Sequence, residues 1–337
     1  MKKRSLGKSG IMVSRIGIGT AAWGFKLMGY GKSYQKEDLW DAYKTGLDNG
    51  VNFFDTADSY AGGDSERILG EFQKKDGREI MIASKHNPRN DKRPEDIMNA
   101  LSGSLERLQV SSIDLYQLHF PPKDDQFERY AAVLAGAYAQ GLVKAVGVSN
   151  FNLERTARFH DCLLKYDLPL SSNQVYYHLL ERRVEDSGLI DYCEKENIAV
   201  IPLSPMAQGV LTGKYALQAK KLSVTQKVYF WIQQLDLFHD EKEKKPLLRK
   251  IFTRPEAVKI KKYLPLFELM DRIAARHQTS IAQIALSWLL FSSDQMIPIP
   301  GVKNKKQAQS NLMMLSVDLT QKEFNELSQM EEVLANE

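Results

Sequence analysis

The chain is short of three things: cysteine, long apolar runs, and any large excess of one charge. Two cysteines in 337 residues, Cys162 and Cys193, cannot build a multi-bridge disulfide framework. Both sit in stretches that read as helix, where buried free thiols are expected. The longest apolar run, IALSWLLF, falls far short of the ~20 residues that span a bilayer. The opening MKKRSLGKSGIMVSR is positively charged but lacks the apolar h-region of a signal peptide, so a cytoplasmic protein without membrane contact is expected. Against 46 Lys and Arg stand 42 Asp and Glu, a net charge of +4, and no arginine-rich stretch alternates with aromatics. That balance argues against a nucleic-acid partner, and any basic site must be local.

What the chain does have is core material: 43% hydrophobic and 26% charged residues, as in ordinary globular proteins. Its apolar runs recur between turn signals: SRIGIGTA, NFFDTA, EIMIASKH, SIDLYQLHF, KAVGVSN, SSNQVYY, AVIPLSPM and QMIPIPG. Between them lie segments with apolar residues at three-four spacing, such as KEDLWDAYKTGLDN, PEDIMNALSGSLERL, ERTARFHDCLLKYD and VEDSGLIDYCEKEN, which predict amphipathic helices. Strand then helix, repeated, means parallel pairing. Eight such units predict an α/β fold, a (β/α)8 TIM barrel forming a single domain over residues 1–337. Two features decorate it. RSLGKSGIMVS reads as a hairpin able to close the barrel bottom. Nearly a hundred residues separate the seventh run from the eighth, so a long insertion containing VYFWIQQLDLF, a charged run around DEKEKK and two helical stretches is expected there.

In a barrel, chemistry gathers at the carboxyl ends of the strands. Asp55 ends the second run, Lys85 the third and His119 the fourth, with Tyr60 in the loop after Asp55. Period two puts Phe53 with Asp55, Met81 and Ala83 with Lys85, and Leu115 and Gln117 with His119, so each polar group can point inward. Taken singly, each has an ordinary explanation: a solvated lysine, a core histidine, a turn-capping aspartate. Converging on one mouth, a desolvated Asp and Lys must pair. A phenol has a pKa of about 10, and an adjacent ammonium lowers it, so Lys85 can activate Tyr60 while Asp55 holds Lys85. A neutral His119 can orient a substrate carbonyl.

Other strand ends carry amides and hydroxyls: Ser149 and Asn150 in GVSNF, Asn173 and Gln174 in NQVYY, and Ser204, Gln208 and Lys214 in LSPMAQGVLTGK. IPGVKNKKQAQSN places Lys303, Lys305 and Lys306 around a helix start, a candidate phosphate site. The same lysines also suit a solvated helix end.

In order along nearly the whole chain, NFFDTADSY, IASKH, LYQLHF, GVSNF, LSPMAQGVLTGKY and IPIPGVKNKKQAQSN resemble the signatures of the aldo-keto reductase family. The resemblance implies an oxidoreductase that reduces small-molecule carbonyls with NADPH, forming NADP+, without metal or flavin. It implies a catalytic tetrad of Asp55, Tyr60, Lys85 and His119, with Tyr60 as general acid. For the cofactor it implies Ser149, Asn150 and Gln174 at the carboxamide, and Ser204, Lys214, Gly301, Lys303, Gln307 and Asn311 near the pyrophosphate, 2'-phosphate and adenine. Gly19, Thr20, Leu203 and Gln208 complete that set, and Lys303 argues for NADP over NAD. Leu203 and Ser310 depart from the family pattern, which often has an aromatic residue and a glutamate at these places. Candidate substrate contacts are Trp23, Asp58, Phe120 and the Phe230–Trp231 pair. For Trp23 and Phe120 ordinary packing is the competing explanation, for Asp58 turn capping, and the insertion can be a lid or a packed helix. Two rival functions share these residues: an NADPH-binding regulatory subunit like the β-subunits of voltage-gated potassium channels, and a barrel that binds phosphorylated metabolites.

Overall fold

The computed structural model describes residues 1–217 and 263–335. Its strands are β1 Lys3–Ser5, β2 Met12–Ser14, β3 Ile18–Gly19, β4 Phe53–Asp55, β5 Met81–His86, β6 Leu115–Leu118, β7 Val146–Ser149, β8 Ser172–Tyr176 and β9 Ala199–Leu203. From β3 to β9 every strand pairs in parallel with the next in the chain. Helices fill the intervals: α1 Lys36–Asp48, α2 Asp64–Asp76, α3 Ile97–Leu108, α4 Phe127–Ala139, α5 Leu153–Leu164, α6 Arg183–Asp186 and α7 Leu189–Glu196. After the insertion come α8 Leu264–Arg276, α9 Ile281–Ser292, α10 Lys305–Leu312 and α11 Gln321–Ala335.

The eighth expected strand closes the barrel without becoming a regular strand. Residues 295–301 bridge β9 through Val200 and Met296 and reach β3 through Gly19 and Gly301. On the β9 side both ladder directions are present, Ile297 N–H to Val200 O at 2.9 Å and Val200 N–H to Gln295 O at 3.0 Å. On the β3 side the carbonyls of Pro298 and Pro300 accept from the amides of Gly17 and Gly19, at 2.9 and 3.3 Å. Pro300 stands where the donor back to Gly17 would be and has no N–H, so that return bond is missing.

The hairpin lies where its sequence predicts. β1 and β2 pair antiparallel, and Leu6 and Val13 pack with Phe53, Ala83, Leu115 and Ile201 in the inner core. The predicted helix over 184–197 is instead two, α6 and α7, because Gly188 adopts φ 72° between them. Cys162 and Cys193 are buried free thiols. No helix among the described residues is long and apolar enough to cross a membrane. The VYFWIQQLDLF and DEKEKK segments lie outside the described residues, whereas the two helical stretches expected after them appear as α8 and α9.

Candidate active site

The polar strand ends meet through contacts between neighbouring strands, with the register advancing two residues from Asp55 to Lys85 and again from Gln117 to Ser149. Asp55 ends β4, Lys85 on β5 pairs with Gln117 on β6, and Ser149 on β7 pairs with Gln174 on β8. Lys85 Nζ donates to Asp55 Oδ1 at 2.6 Å and to the Thr56 carbonyl at 2.7 Å, and both Lys85 and Asp55 are sealed from solvent. The other Asp55 oxygen accepts from Gln174 Nε2 at 2.8 Å and Gln117 Nε2 at 3.5 Å. A buried ion pair is tolerable only when its remaining lone pairs are satisfied in this way.

Tyr60 reaches the same cluster because Ala61, Gly62 and Gly63 all take positive φ, at 51°, 65° and 92°, turning the chain into α2. Asp64 and Ser65, polar residues of the kind that cap a helix, lie inside its first turn. Asp64 pairs with Arg67, and the Ser65 hydroxyl joins those of Thr20 and Thr56 in a buried network. The Lys85 Nζ stands 4.8 Å from the Tyr60 ring centre, and the Tyr60 and His119 rings meet edge-on at 5.8 Å.

Charge and burial compete at this cluster. Burial pushes the Tyr60 phenol up and outweighs the Lys85 ammonium, which pulls it down by charge and hydrogen bond, while Asp55 adds to the rise. The expected effect of Lys85 therefore has the right sign but does not set the net direction. Tyr60 is a protonated phenol at neutral pH. Burial disfavours the Lys85 charge, yet Asp55 and then Tyr60 more than reverse this, so its pKa is raised. Burial, with Lys85 beside it, lowers His119 to about 3, which makes it a neutral imidazole.

A row of amides adjoins the cluster. Ser149 Oγ donates to the Gln174 carbonyl at 2.9 Å, and Asn150 Nδ2 donates to the His119 carbonyl at 2.9 Å and contacts Ser149 Oγ at 3.1 Å. Asn150 holds φ 62°, a left-handed conformation uncommon outside glycine. These bonds leave Asn150 Oδ1, Gln174 Oε1 and Gln117 Oε1 as buried acceptors without a partner among the described residues. Buried acceptors are seldom left unmatched, so the row is suited to an amide-bearing ligand.

A second group lies beyond the first and last strands. Lys303 is half-buried; burial and then the Lys214 charge lower its pKa, so the two cations are close enough to feel each other. Its Nζ donates to the Met28 carbonyl at 2.9 Å, and its backbone N–H donates to Gln307 Oε1 at 2.8 Å. Asn304 caps α10 through the Gln307 amide, whereas Lys305 and Lys306 are exposed. Ser204 and Gln208, both at positive φ, are joined by a 3.3 Å hydrogen bond beyond β9. Asn311 lines a small cleft beside Gly17, and the Ser310 carbonyl accepts from Gln283. Gly301 bridges Gly19, where a Cβ would stand 2.7 Å from the Ile299 carbonyl. The buried Thr20 differs from expectation, since its hydroxyl serves the Asp55 carbonyl at 2.9 Å and the Ser65 hydroxyl.

The substrate candidates separate. Trp23 is fully buried, packs against Phe72 at 5.6 Å and donates its indole N–H to the Val302 carbonyl, the packing that competes with a substrate role. Asp58 turns away to His86 at 2.5 Å. Phe120 stays half-buried and stacks on His119 at 5.0 Å. Leu203 pairs across the strands with Tyr176, which sits two residues beyond Gln174 and so on the same face. Phe230 and Trp231 lie outside the described residues. Sequence reasoning passed over His86 and Tyr176, although each directly continues a strand end that it singled out.

Residues 15–332 match the profile of the aldo/keto reductase family. The chain is 30% identical over 336 residues to the chloroplastic pyridoxal reductase of Arabidopsis thaliana, covering 93% of this chain and 82% of the relative. Among solved structures it resembles the glycerol dehydrogenase of Gluconobacter oxydans, with a TM-score of 0.76 and 25% identity, over 97% of this chain and 93% of that one. It also shares its fold with a Klebsiella pneumoniae aldo/keto reductase solved with NADP and acetate, with a TM-score of 0.70 and 21% identity, over 98% and 95%. A barrel closed by a proline-rich segment, polar strand ends gathered at one mouth and a profile match over nearly the full length lead to one conclusion: this chain belongs to the aldo/keto reductase family.

Proposed function

We propose that the chain reduces aldehyde or ketone carbonyls to alcohols with NADPH, using Tyr60 as general acid. One observation carries this reading: the Lys85 ammonium, fixed by Asp55 and Thr56, lies against the Tyr60 ring. The protonated phenol gives its proton to the oxygen of the developing alkoxide, and the phenolate left behind is stabilised by Lys85. Asp55 keeps that ammonium charged and in place. A neutral His119 has one ring N–H to orient the carbonyl, and with a pKa of about 3 it does not compete as the acid. Asp55, Tyr60, Lys85 and His119 thus form the catalytic set.

The residues present fit a nicotinamide dinucleotide. The unpartnered acceptors Asn150 Oδ1 and Gln174 Oε1, beside Ser149, match the N–H groups of a carboxamide. Lys303 and Lys214 supply charge for a phosphate, which favours NADP over NAD. Gly301, Gln307, Asn311, Ser204 and Gln208 would border the rest of the dinucleotide. The chemistry a bound nicotinamide supplies is hydride transfer to the carbonyl carbon.

A panel of aldehydes, including the pyridoxal named for the Arabidopsis relative, tests the reading through NADPH absorbance. Wild type is expected to turn over, and Tyr60→Phe to lose about 10²- to 10⁴-fold. Equal rates in the two proteins would sink the acid assignment. Tight NADPH binding without turnover would favour the regulatory-subunit reading.

A further inference from the structure

Asp58 lies between Asp55 and Tyr60 in the chain, yet its carboxylate belongs to a different set of bonds. Asp58 Oδ2 is 2.5 Å from His86 Nδ1, and Asp91 Oδ1 is 2.7 Å from His86 Nε2. The second oxygen of Asp91 accepts from the Tyr130 hydroxyl at 2.9 Å. Carboxylates only accept, so a ring flanked by two of them needs an N–H on both nitrogens, and imidazolium is the form that has both. The bridge is sheltered, with side-chain exposures of 9% for His86, 17% for Asp58 and 5% for Asp91.

We propose that His86 is a positioning residue whose imidazolium clasps the loop carrying Tyr60 to the loop after β5, and so sets where the phenol stands. The proposal rests on the reading of Tyr60 as the acid. Asp58 is two residues before Tyr60, and its backbone N–H also bonds to the Lys85 carbonyl at 3.1 Å. The clasp thus joins three elements: the 56–60 loop, the end of β5, and the 87–91 loop braced by Tyr130 of α4. Lys85, its chain neighbour, bonds in the opposite direction to Asp55. One strand end holds the phenol's ammonium partner on one side and anchors the phenol's loop on the other.

Losing one ring proton removes one of the two donors and leaves a sheltered carboxylate facing a nitrogen lone pair. The groups facing His86 are Asp58, Asp91 with Tyr130 behind it, and His119 from the end of β6; Tyr116 on β6 feels Asp58. Burial opposes the His86 charge, but the two carboxylates exceed it, so its pKa is raised. The clasp therefore holds to higher pH than a free histidine would allow, and opens on the alkaline side of that raised midpoint.

Ring-nitrogen NMR titration of histidine-labelled protein tests the clasp without turnover, and steady-state kinetics across pH tests its consequence. The His86 midpoint is expected above that of free histidine, and lower in Asp91→Asn. His86→Gln is expected to lower kcat about 10- to 100-fold while NADPH binding, read by Trp fluorescence, stays unchanged. In Asp91→Asn the alkaline limb of kcat should move to lower pH, a change that a merely structural bridge would not produce. That variant also serves if His86→Gln folds poorly. A His86 midpoint at or below that of free histidine overturns the proposal. So do variant pH profiles that superpose on wild type while Tyr60→Phe is inactive. A fully active Tyr60→Phe sinks the acid assignment instead, which is recognised separately because the midpoint is read without catalysis.

Discussion

Lys85 and Asp55 form an ion pair at 2.6 Å in which both side chains are sealed from water. Removing one partner leaves an uncompensated buried charge, which costs about 3–5 kcal/mol, whereas replacing both by apolar groups is often nearly neutral. The pair is therefore better explained by chemistry than by stability.

Urea unfolding of Lys85→Met, Asp55→Leu and the double variant separates those two explanations. Each single change is expected to destabilise by about 3–5 kcal/mol, and the double variant to recover most of the loss, while all three lose turnover. A double variant as unstable as the sum of the singles would mean that the pair holds the barrel together.

Lys303 is expected to confer the preference for NADPH. A charge-assisted contact is worth about 1.5–3 kcal/mol, so Lys303→Ala should weaken NADPH binding roughly 10- to 100-fold and leave NADH nearly unchanged. Fluorescence titration with both nucleotides measures this. Wild type without the preference, or a variant that keeps it, would remove Lys303 from the 2'-phosphate site.

Parts of this molecule were legible in the sequence because they are periodic or local. Period-two alternation put Asp55, Lys85 and Gln117 on inward faces; register then paired Lys85 with Gln117, and the Lys85 side chain reached Asp55. The eighth strand was legible as an apolar run, but its incomplete ladder depends on Pro298 and Pro300 meeting Gly17 and Gly19, nearly 300 residues away. The bond from the Trp23 N–H to Val302 was illegible for a related reason, since it too joins segments nearly 300 residues apart. His86 was hidden by adjacency: successive strand residues face opposite ways, so the neighbour of Lys85 belongs to a different environment. The balance between burial and charge at Tyr60 is likewise a property of the assembled mouth.

His119 gives a pH dependence with a definite sign. Its folded pKa is lowered to about 3. An unfolded histidine titrates near 6.5, so below that value the unfolded chain binds a proton that the folded chain refuses. The His119 contribution to stability is thus fully present above roughly pH 6.5 and is lost as pH falls toward 3. Urea midpoints of wild type and His119→Gln should diverge on acidification, with wild type losing more. Turnover between pH 5 and 7 should show no acid limb that disappears in His119→Gln, and such a limb would mean that the imidazole is charged in the working site.

Trp23 provides the sharpest contrast between core and pocket. Its side chain is fully buried against Phe72, and its indole donates to Val302 beside the closing segment. Truncation of a buried aromatic costs about 3–5 kcal/mol, so Trp23→Ala should unfold at markedly lower urea. At a temperature where the variant is still folded, its KM for aldehydes should match wild type if the ring serves packing alone. A raised KM with little loss of stability would return Trp23 to the substrate wall and would require the 20–25 segment to open during catalysis.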